Sequence, residues 1–291
     1  MKLIMRSKTE EYKNLIKSWR KTKLETPPYI HKDDSILSKE KTKKYVVCYK
    51  SFWEYIKSDD FGNRKDKKLH LGLRPSPYNG DLAKAKVFIL MLNPGLHILD
   101  YFSLSDKEFC RENTRVIRQK RLNKKYPFTS LNPSLSWAPG SEYWRKKLDC
   151  LIQKTMKLKK LNYLDTLSYL SKKIAILQLY PYHSKEFGIP RKIQKLELKS
   201  ARLIREFVKN VLVKEAQSGK ILLIVARGAK KWGFEKRHNN IIIRNVQNGN
   251  VEAILKGADS IIVYTRKEAR GASFGKYTEK IVNFLLGARE N

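Results

Sequence analysis

Val87-Phe88-Ile89-Leu90-Met91-Leu92 is an unbroken apolar run that stops at the turn-forming residues Asn93-Pro94-Gly95-Leu96. A run this short, bounded this sharply, reads as a β-strand buried on both faces. Three more runs share its character: Ile174-Ala175-Ile176-Leu177, Ile221-Leu222-Leu223-Ile224-Val225 and Ile261-Ile262-Val263-Tyr264. Helical spacing fills the intervals. Tyr143, Trp144, Leu148, Leu151, Ile152 and Met156 share a face over 141–158, and Leu196, Ile204, Phe207, Val208, Val211 and Leu212 do so over 193–216. A last helix, 277–287, carries Ile281, Val282, Phe284 and Leu285. Buried strands alternating with amphipathic helices predict an α/β fold, a three-layer sandwich with a mostly parallel central sheet. Asn240-Ile241-Ile242-Ile243-Arg244 is expected as an added edge strand.

Upstream of this unit the pattern changes. Ser7-Lys8-Thr9-Glu10 has capping-box spacing, and Tyr12, Leu15, Ile16 and Trp19 follow at helical intervals, predicting a helix near 8–21 that Pro27-Pro28 excludes from continuing. Tyr45-Val46-Val47-Cys48-Tyr49 is expected as a short strand, and a Lys-rich stretch follows over 57–69. Arg74-Pro75-Ser76-Pro77-Tyr78-Asn79-Gly80 is loop chemistry. The expected organisation is therefore an amino-terminal helical and irregular extension, 1–80, followed by an α/β domain, 81–291.

The chain of 291 residues carries 62 Lys plus Arg against 28 Asp plus Glu, a formal net charge of +34. An apolar content of 41%, with 15 Tyr, 11 Phe and 5 Trp, excludes a disordered basic tail. A general Lys-rich bias raises Glu alongside Lys, and Glu is not raised here. The excess instead implies a polyanionic partner: DNA, RNA or an anionic surface. Cys48, Cys110 and Cys150 form neither a disulfide framework nor a C-x-x-C pair, and His31, His70, His97, His183 and His238 include no i, i+4 pair. The residues near Met1 contain no signal-peptide core, and no run of about 18 apolar residues exists. The expectation is a cytoplasmic, reduced protein with no metal, no cofactor, no membrane contact and no implied protein partner.

In folds of this class, sites form beyond the carboxyl ends of the strands. After the first strand comes Asn93-Pro94-Gly95; after the second, Gln178-Leu179-Tyr180-Pro181-Tyr182-His183-Ser184; after the third, Ala226-Arg227-Gly228-Ala229-Lys230-Lys231-Trp232; after the fourth, a basic stretch from Thr265 to Gly275. Amide side chains, aromatic rings and cations in these positions suit a base pocket beside a phosphate track.

The segment Lys86 to Leu96 resembles the first motif of the uracil-DNA glycosylase superfamily, closest to the mismatch-specific uracil and thymine-DNA glycosylases, whose strand ends in Asn-Pro-Gly. Tyr126-Pro127-Phe128 and Ser141-Glu142-Tyr143-Trp144-Arg145-Lys146 look like that family's aromatic pocket residue and aromatic-Trp-Lys helix. Residues 221–234 look like its third strand and glycine turn, and the stretch after 261–264 sits where the family places its DNA-intruding loop. The likeness runs over roughly 86–286 in the same order.

This resemblance implies base excision by hydrolysis from duplex DNA with one nucleotide extruded. Asn93 would orient the attacking water, Phe128 would stack on the extruded base, and Leu92 would lie in the pocket. Gln178 can donate to and accept from a base edge, with Tyr182 and His183 close by. Arg227, Gly228, Lys230 and Lys231 would meet a phosphate at a helix amino terminus. Arg266, Lys267, Arg270, Ser273 and Phe274 would grip the backbone and fill the vacated space. No nucleophilic Lys is singled out, so a monofunctional enzyme leaving an abasic site is expected.

Two departures bear on the substrate. The His or Asn with Pro-Ser usual after the last strand is replaced by Tyr264-Thr265-Arg266-Lys267, and an insertion over 97–126 carries Tyr101, Phe102, Arg115, Arg118, Lys120 and Arg121. Both favour a modified base, such as the glucosylated hydroxymethylcytosine of phage DNA in antiviral defence, over uracil or mismatched thymine. The rivals are a non-catalytic DNA- or RNA-binding module on the same fold, and a metal-dependent nuclease using Glu268 with Asp100 and Asp106.

Overall fold

The structure, a computed structural model, describes residues 5–287 apart from Arg64, Glu186, Gly188, Asn239, Ala258 and 265–273. Helix α1 (Glu10–Arg20) starts where Thr9 Oγ1 accepts the Tyr12 N–H, and it buries Leu15, Ile16 and Trp19. The strand expected over 45–49 is the shorter β1 (Val46–Val47), preceded by a 3-10 turn; it pairs in parallel with β2 (Leu69–His70). Between them, Ser51 caps α2 (Phe52–Ile56). After β3 (Tyr78–Asn79) and β4 (Val87–Met91), the segment read as an insertion forms α3 (Leu99–Ser103) and α4 (Lys107–Arg118). Asp106 Oδ1 caps α4 by accepting the Phe109 N–H at 2.6 Å. Pro139 occupies the first turn of α5 (Pro139–Lys159), where its missing N–H has no intrahelical partner to lose. Asn162 caps α6 (Tyr163–Ser171), which leads into β5 (Ile174–Gln178).

The single helix expected over 193–216 is divided. A short α7 (Arg191–Lys195) stops before Glu197, which sits at φ 45°, outside the helical region. The chain resumes as α8 (Lys199–Phe207), a π-helical turn over Val208–Leu212 and α9 (Val213–Gln217). Next come β6 (Leu222–Val225), the single turn α10 (Ala229–Trp232), β7 (Phe234–Arg237), β8 (Asn240–Arg244) and β9 (Val251–Lys256). The chain ends with β10 (Ile261–Val263) and α11 (Thr278–Leu286).

The main sheet has the order β10-β6-β4-β5-β3, with every pairing parallel except β3 against β5. It is a mixed, mostly parallel sheet with helices on both faces. Alternate strand residues point to opposite faces, and they separate into two cores. Phe88, Leu90, Ala175, Leu177, Leu223 and Val225 join Leu15, Trp19, Ile204 and Phe207 from α1 and α8. Val87, Ile89, Met91, Ile174, Ile176, Leu222 and Ile224 join Trp144, Leu148, Leu167 and Ile281 from α5, α6 and α11. Residues 240–244 are not an edge of this sheet. β8 is the central strand of a separate antiparallel sheet, β7-β8-β9, because extended segments flank it on both sides; its Ile241 and Ile243 face the first core.

Leu15, Ile16, Trp19, Leu24 and Leu37 of the amino-terminal region pack into the same core as Phe88 and Leu90 of β4. Arg6 donates to the carbonyls of Leu82 and Ala85 and pairs with Glu215. Asp34, fully buried, gathers three elements: its Oδ2 accepts from the hydroxyls of Tyr182 (2.7 Å) and Ser200 (2.5 Å), and its Oδ1 accepts the Ser200 N–H. The Tyr182 hydroxyl also accepts the His31 N–H at 3.1 Å. Removing one charged acceptor from such a set strands buried donors. Asp34→Ala is therefore expected to lower unfolding free energy by about 3 kcal/mol or more, and Tyr182→Phe by about 1–3 kcal/mol. Urea midpoints at unchanged m-value measure both.

Candidate active site

From β4 the chain passes to β5 on one side and later to β6 on the other, so the connections leaving β4 and β6 diverge and open a crevice beyond their carboxyl ends. A cavity of about 400 Å³ lies there, within the range of small-molecule sites. Its sheet side is made by Met91, Leu92, Asn93 and Pro94 after β4, Gln178 at the end of β5 and Arg227 after β6. The opposite side comes from Arg74 and Ser76, from His97, Asp100, Ser103 and Asn113 of the inserted segment, and from the start of α5, including Ser141 and Tyr143.

Backbone geometry holds the Asn93-Pro94-Gly95 turn from both flanks. Leu179 and Tyr180 N–H groups donate to Met91 O (3.2 Å) and Leu92 O (2.8 Å), and the Trp232 indole donates to Met91 O (3.1 Å). Asn93 Nδ2 donates to Pro94 O and to Ser184 Oγ at 2.9 Å, which sets the plane of the amide. His183 Nδ1 donates to Gly95 O at 2.8 Å. The turn is thus joined to the post-β5 loop.

Polar atoms without hydrogen-bond partners among the described residues collect around this cavity: Gln178 Oε1, Asn113 Oδ1, Arg74 Nε and Arg227 Nε are all buried. Gln178 is only 5% exposed, so its amide oxygen has little access to bulk water. A buried, unmet acceptor or donor costs about 1–3 kcal/mol, which a ligand hydrogen bond would offset. Burial pushes the Asp100 carboxyl above its ordinary range, opposed by the nearby His183. Burial also raises the Tyr143 phenol, and the Arg227 guanidinium beside it acts the other way. Among the described residues, no three His, Cys, Asp or Glu side chains cluster as metal ligands do. No helix among the described residues is long and apolar enough to cross a membrane.

Of the residues singled out from sequence, Leu92, Asn93, Gln178, His183 and Arg227 line this one cavity. Phe128 does not. It is fully buried, edge-on to Trp144 at 5.8 Å, with its backbone tied to Ser171 Oγ, so Thr129 and Ser130 reach the cavity instead. Tyr182 is turned away into the Asp34 network. Phe274 is buried against Trp144 and Tyr264 and is not presented to a ligand. Lys231 is half-buried, bonded to Gln194 and set over the Phe187 ring, while Lys230 is exposed. The phosphate site expected at Gly228 has no real helix behind it, since α10 is a single turn. Arg266, Lys267, Arg270 and Ser273 lie outside the described residues, as does Glu268. Asp106 serves as a helix cap. Of the insertion's side chains, Tyr101 is buried, Arg115 pairs with Glu112 and Arg118 with Glu25.

Arg74 and Asn113 were not expected at the site, and Asp100 was expected only in the rival nuclease reading. Asp100 had a usable signal, a carboxylate seven residues beyond Asn93; Arg74 and Asn113 arrive through tertiary packing alone. No protein-family model, no curated protein and no solved structure matches the chain.

Gly228 matters for another reason. It sits at φ +67°, and a Cβ there would lie 2.1 Å from Leu92 Cδ2, in the cavity wall. Gly219 has nearly the same φ, +68°, with nothing within 4 Å. Gly219→Ala is expected to cost about 1 kcal/mol from backbone strain alone. Gly228→Ala adds overpacking, for a further loss of about 1–3 kcal/mol. Thermal unfolding of the two variants side by side measures the difference.

Proposed function

We propose that this protein is a monofunctional DNA glycosylase that flips out a base, hydrolyses its N-glycosidic bond and leaves an abasic site. The observation that carries this proposal is the junction of Asn93 with the unmet polar atoms of Gln178 and Arg227 in one cavity at the strand switch point. Excision requires an extruded base held by its edge, a water placed at the sugar carbon, and stabilisation of the negative charge that develops on the departing base. The Gln178 amide meets the base edge. Arg227 supplies positive charge beside it, and Asn93 orients the water. An amide is a weak base, so its contribution is placement. The overall charge of +34 favours a polyanionic substrate and steers its approach.

A modified base is the preferred substrate, for example glucosylated hydroxymethylcytosine in phage DNA, consistent with antiviral defence. The support is the far wall: Arg74 and Asn113 present unmet polar atoms on the side away from the sheet, where a bare pyrimidine held by Gln178 needs none. The stacking partner expected in Phe128 is missing from the cavity; Tyr143 and Trp144 supply aromatic surface there.

A panel of duplexes containing glucosylated hydroxymethylcytosine, unmodified cytosine, uracil and mismatched thymine tests the proposal by counting abasic sites. The modified duplex is expected to react fastest, and Asn93→Ala to slow release by about a hundredfold or more. Binding without abasic sites in any duplex would leave a non-catalytic DNA-binding module. Preferential cleavage of uracil would make the protein a repair enzyme.

A further inference from the structure

Asp100 stands in the cavity with a fixed orientation. Its Oδ2 accepts the His97 N–H at 2.6 Å, and its Oδ1 has no hydrogen bond among the described residues. His183 Nδ1, held by Gly95 O, lies 3.7 Å from Oδ2. The next residue, Tyr101, is buried, and its hydroxyl is 3.0 Å from His70 Nδ1. His70 is fully buried too, with Nε2 2.8 Å from Asp66 Oδ2. Since the Asp66 carboxylate can only accept in its ionised form, His70 donates to it from Nε2, and its Nδ1 meets the Tyr101 hydroxyl. The His70 backbone N–H donates to His183 O at 2.9 Å. One buried histidine therefore fixes α3 through Tyr101 and the post-β5 loop through His183, and these carry the two facing members of the pair.

We infer that Asp100 is the general base of this cavity, taking a proton from the attacking water, and that His183 and His70 are positioning residues that hold it. The inference rests on the glycosylase proposal and gives that chemistry the base Asn93 cannot be. The water oxygen bonds to the sugar C1′ while one of its protons passes to the Asp100 carboxylate. The C1′–N bond breaks with its electron pair moving to the departing base. The proton then passes to that base, directly or through solvent, and the carboxylate is restored.

The groups facing Asp100 are His97 from its own segment, His183 from the post-β5 loop, His70 from β2 and Tyr55 from α2. Burial raises the carboxyl, and the three histidines oppose that shift. A carboxylate whose pKa is raised is a stronger proton acceptor in its ionised form. Its activity is present above its pKa and is lost as pH falls through it.

Asp100→Asn keeps an oxygen for the His97 N–H and removes the base. Single-turnover excision is expected to fall about 10²- to 10⁴-fold, with DNA affinity within about twofold of wild type. Its thermal stability at pH 8 should be unchanged or higher, because burial in the folded state disfavours the ionised carboxyl. His183→Asn removes a group that favours ionisation, so the acid limb of the rate–pH profile should move to higher pH. A merely structural role would move neither that limb nor the rate at constant affinity. Asp100→Asn within about threefold of wild type, with the same profile, overturns the assignment and leaves the glycosylase proposal standing. If Asp100→Asn does not fold, an unmoved limb in His183→Asn overturns it instead. A wild-type protein that excises nothing from the panel removes both.

Discussion

β4 ends between two neighbours that each reach beyond it, and the site depends on that capture. Met91 O accepts from Leu179 on the β5 side and from the Trp232 indole on the β6 side, while Leu92 O accepts from Tyr180. Each bond contributes about 1 kcal/mol net, but together they give the strand end no freedom to rotate. The Asn93-Pro94-Gly95 turn therefore departs from a fixed point, and Ser184 and His183 tie its far end to the post-β5 loop. Gly228 completes the arrangement by leaving the room that Leu92 occupies. An amide placed this way stands on rigid strands, which sustain tighter geometry than a free loop.

The opposite wall is built from outside the parallel unit and is held by polar contacts to backbone. Arg74 Nη1 donates to Cys110 O and Thr114 Oγ1, and the Tyr78 hydroxyl donates to Ile117 O at 2.6 Å. Gln119 spans Gly80 O and the Leu82 N–H. These bonds fasten α4 to the segment around β3, and the Asp66–His70–Tyr101 set fastens α3. An apolar sheet side and a polar, braced far side answer to different constraints. Side chains on the far side can change what the cavity accepts without disturbing the pairing that places Asn93.

The parallel strands were legible because burial on both faces leaves no polar residue to interrupt them, and α5 and α11 because their apolar faces repeat at helical spacing. The residues following those strands were legible for the same reason: once β4, β5 and β6 are placed, Asn93, Gln178 and Arg227 must converge. The separate sheet was hidden because Phe234–Arg237 is mostly charged, and β9 exposes Val251 and Ile254, so neither carries a buried strand's signature. The aromatic residues failed for a different reason. Phe128, Tyr182 and Phe274 lie beside the right turns, but which side of a turn a ring takes is decided by distant partners: Ser171, Asp34 and Trp144 respectively. No local pattern contains that choice.

Charge and cavity perform separable tasks. The excess of +34 acts over a Debye length of about 8 Å at physiological ionic strength and attracts polyanions without distinguishing one from another. Selection has to come from short-range groups whose cost is felt when they are left unmatched. Gln178 Oε1, Asn113 Oδ1, Arg74 Nε and Arg227 Nε are such groups, and the half-buried carboxyl of Asp100 is another. An apolar wall of the same shape would make the empty protein more stable and would admit any flat ring. The polar wall sacrifices stability in the empty state, and a ligand that satisfies it binds preferentially to the folded form. Discrimination follows from the same asymmetry, because a ligand lacking the matching donors and acceptors enters without removing the penalty.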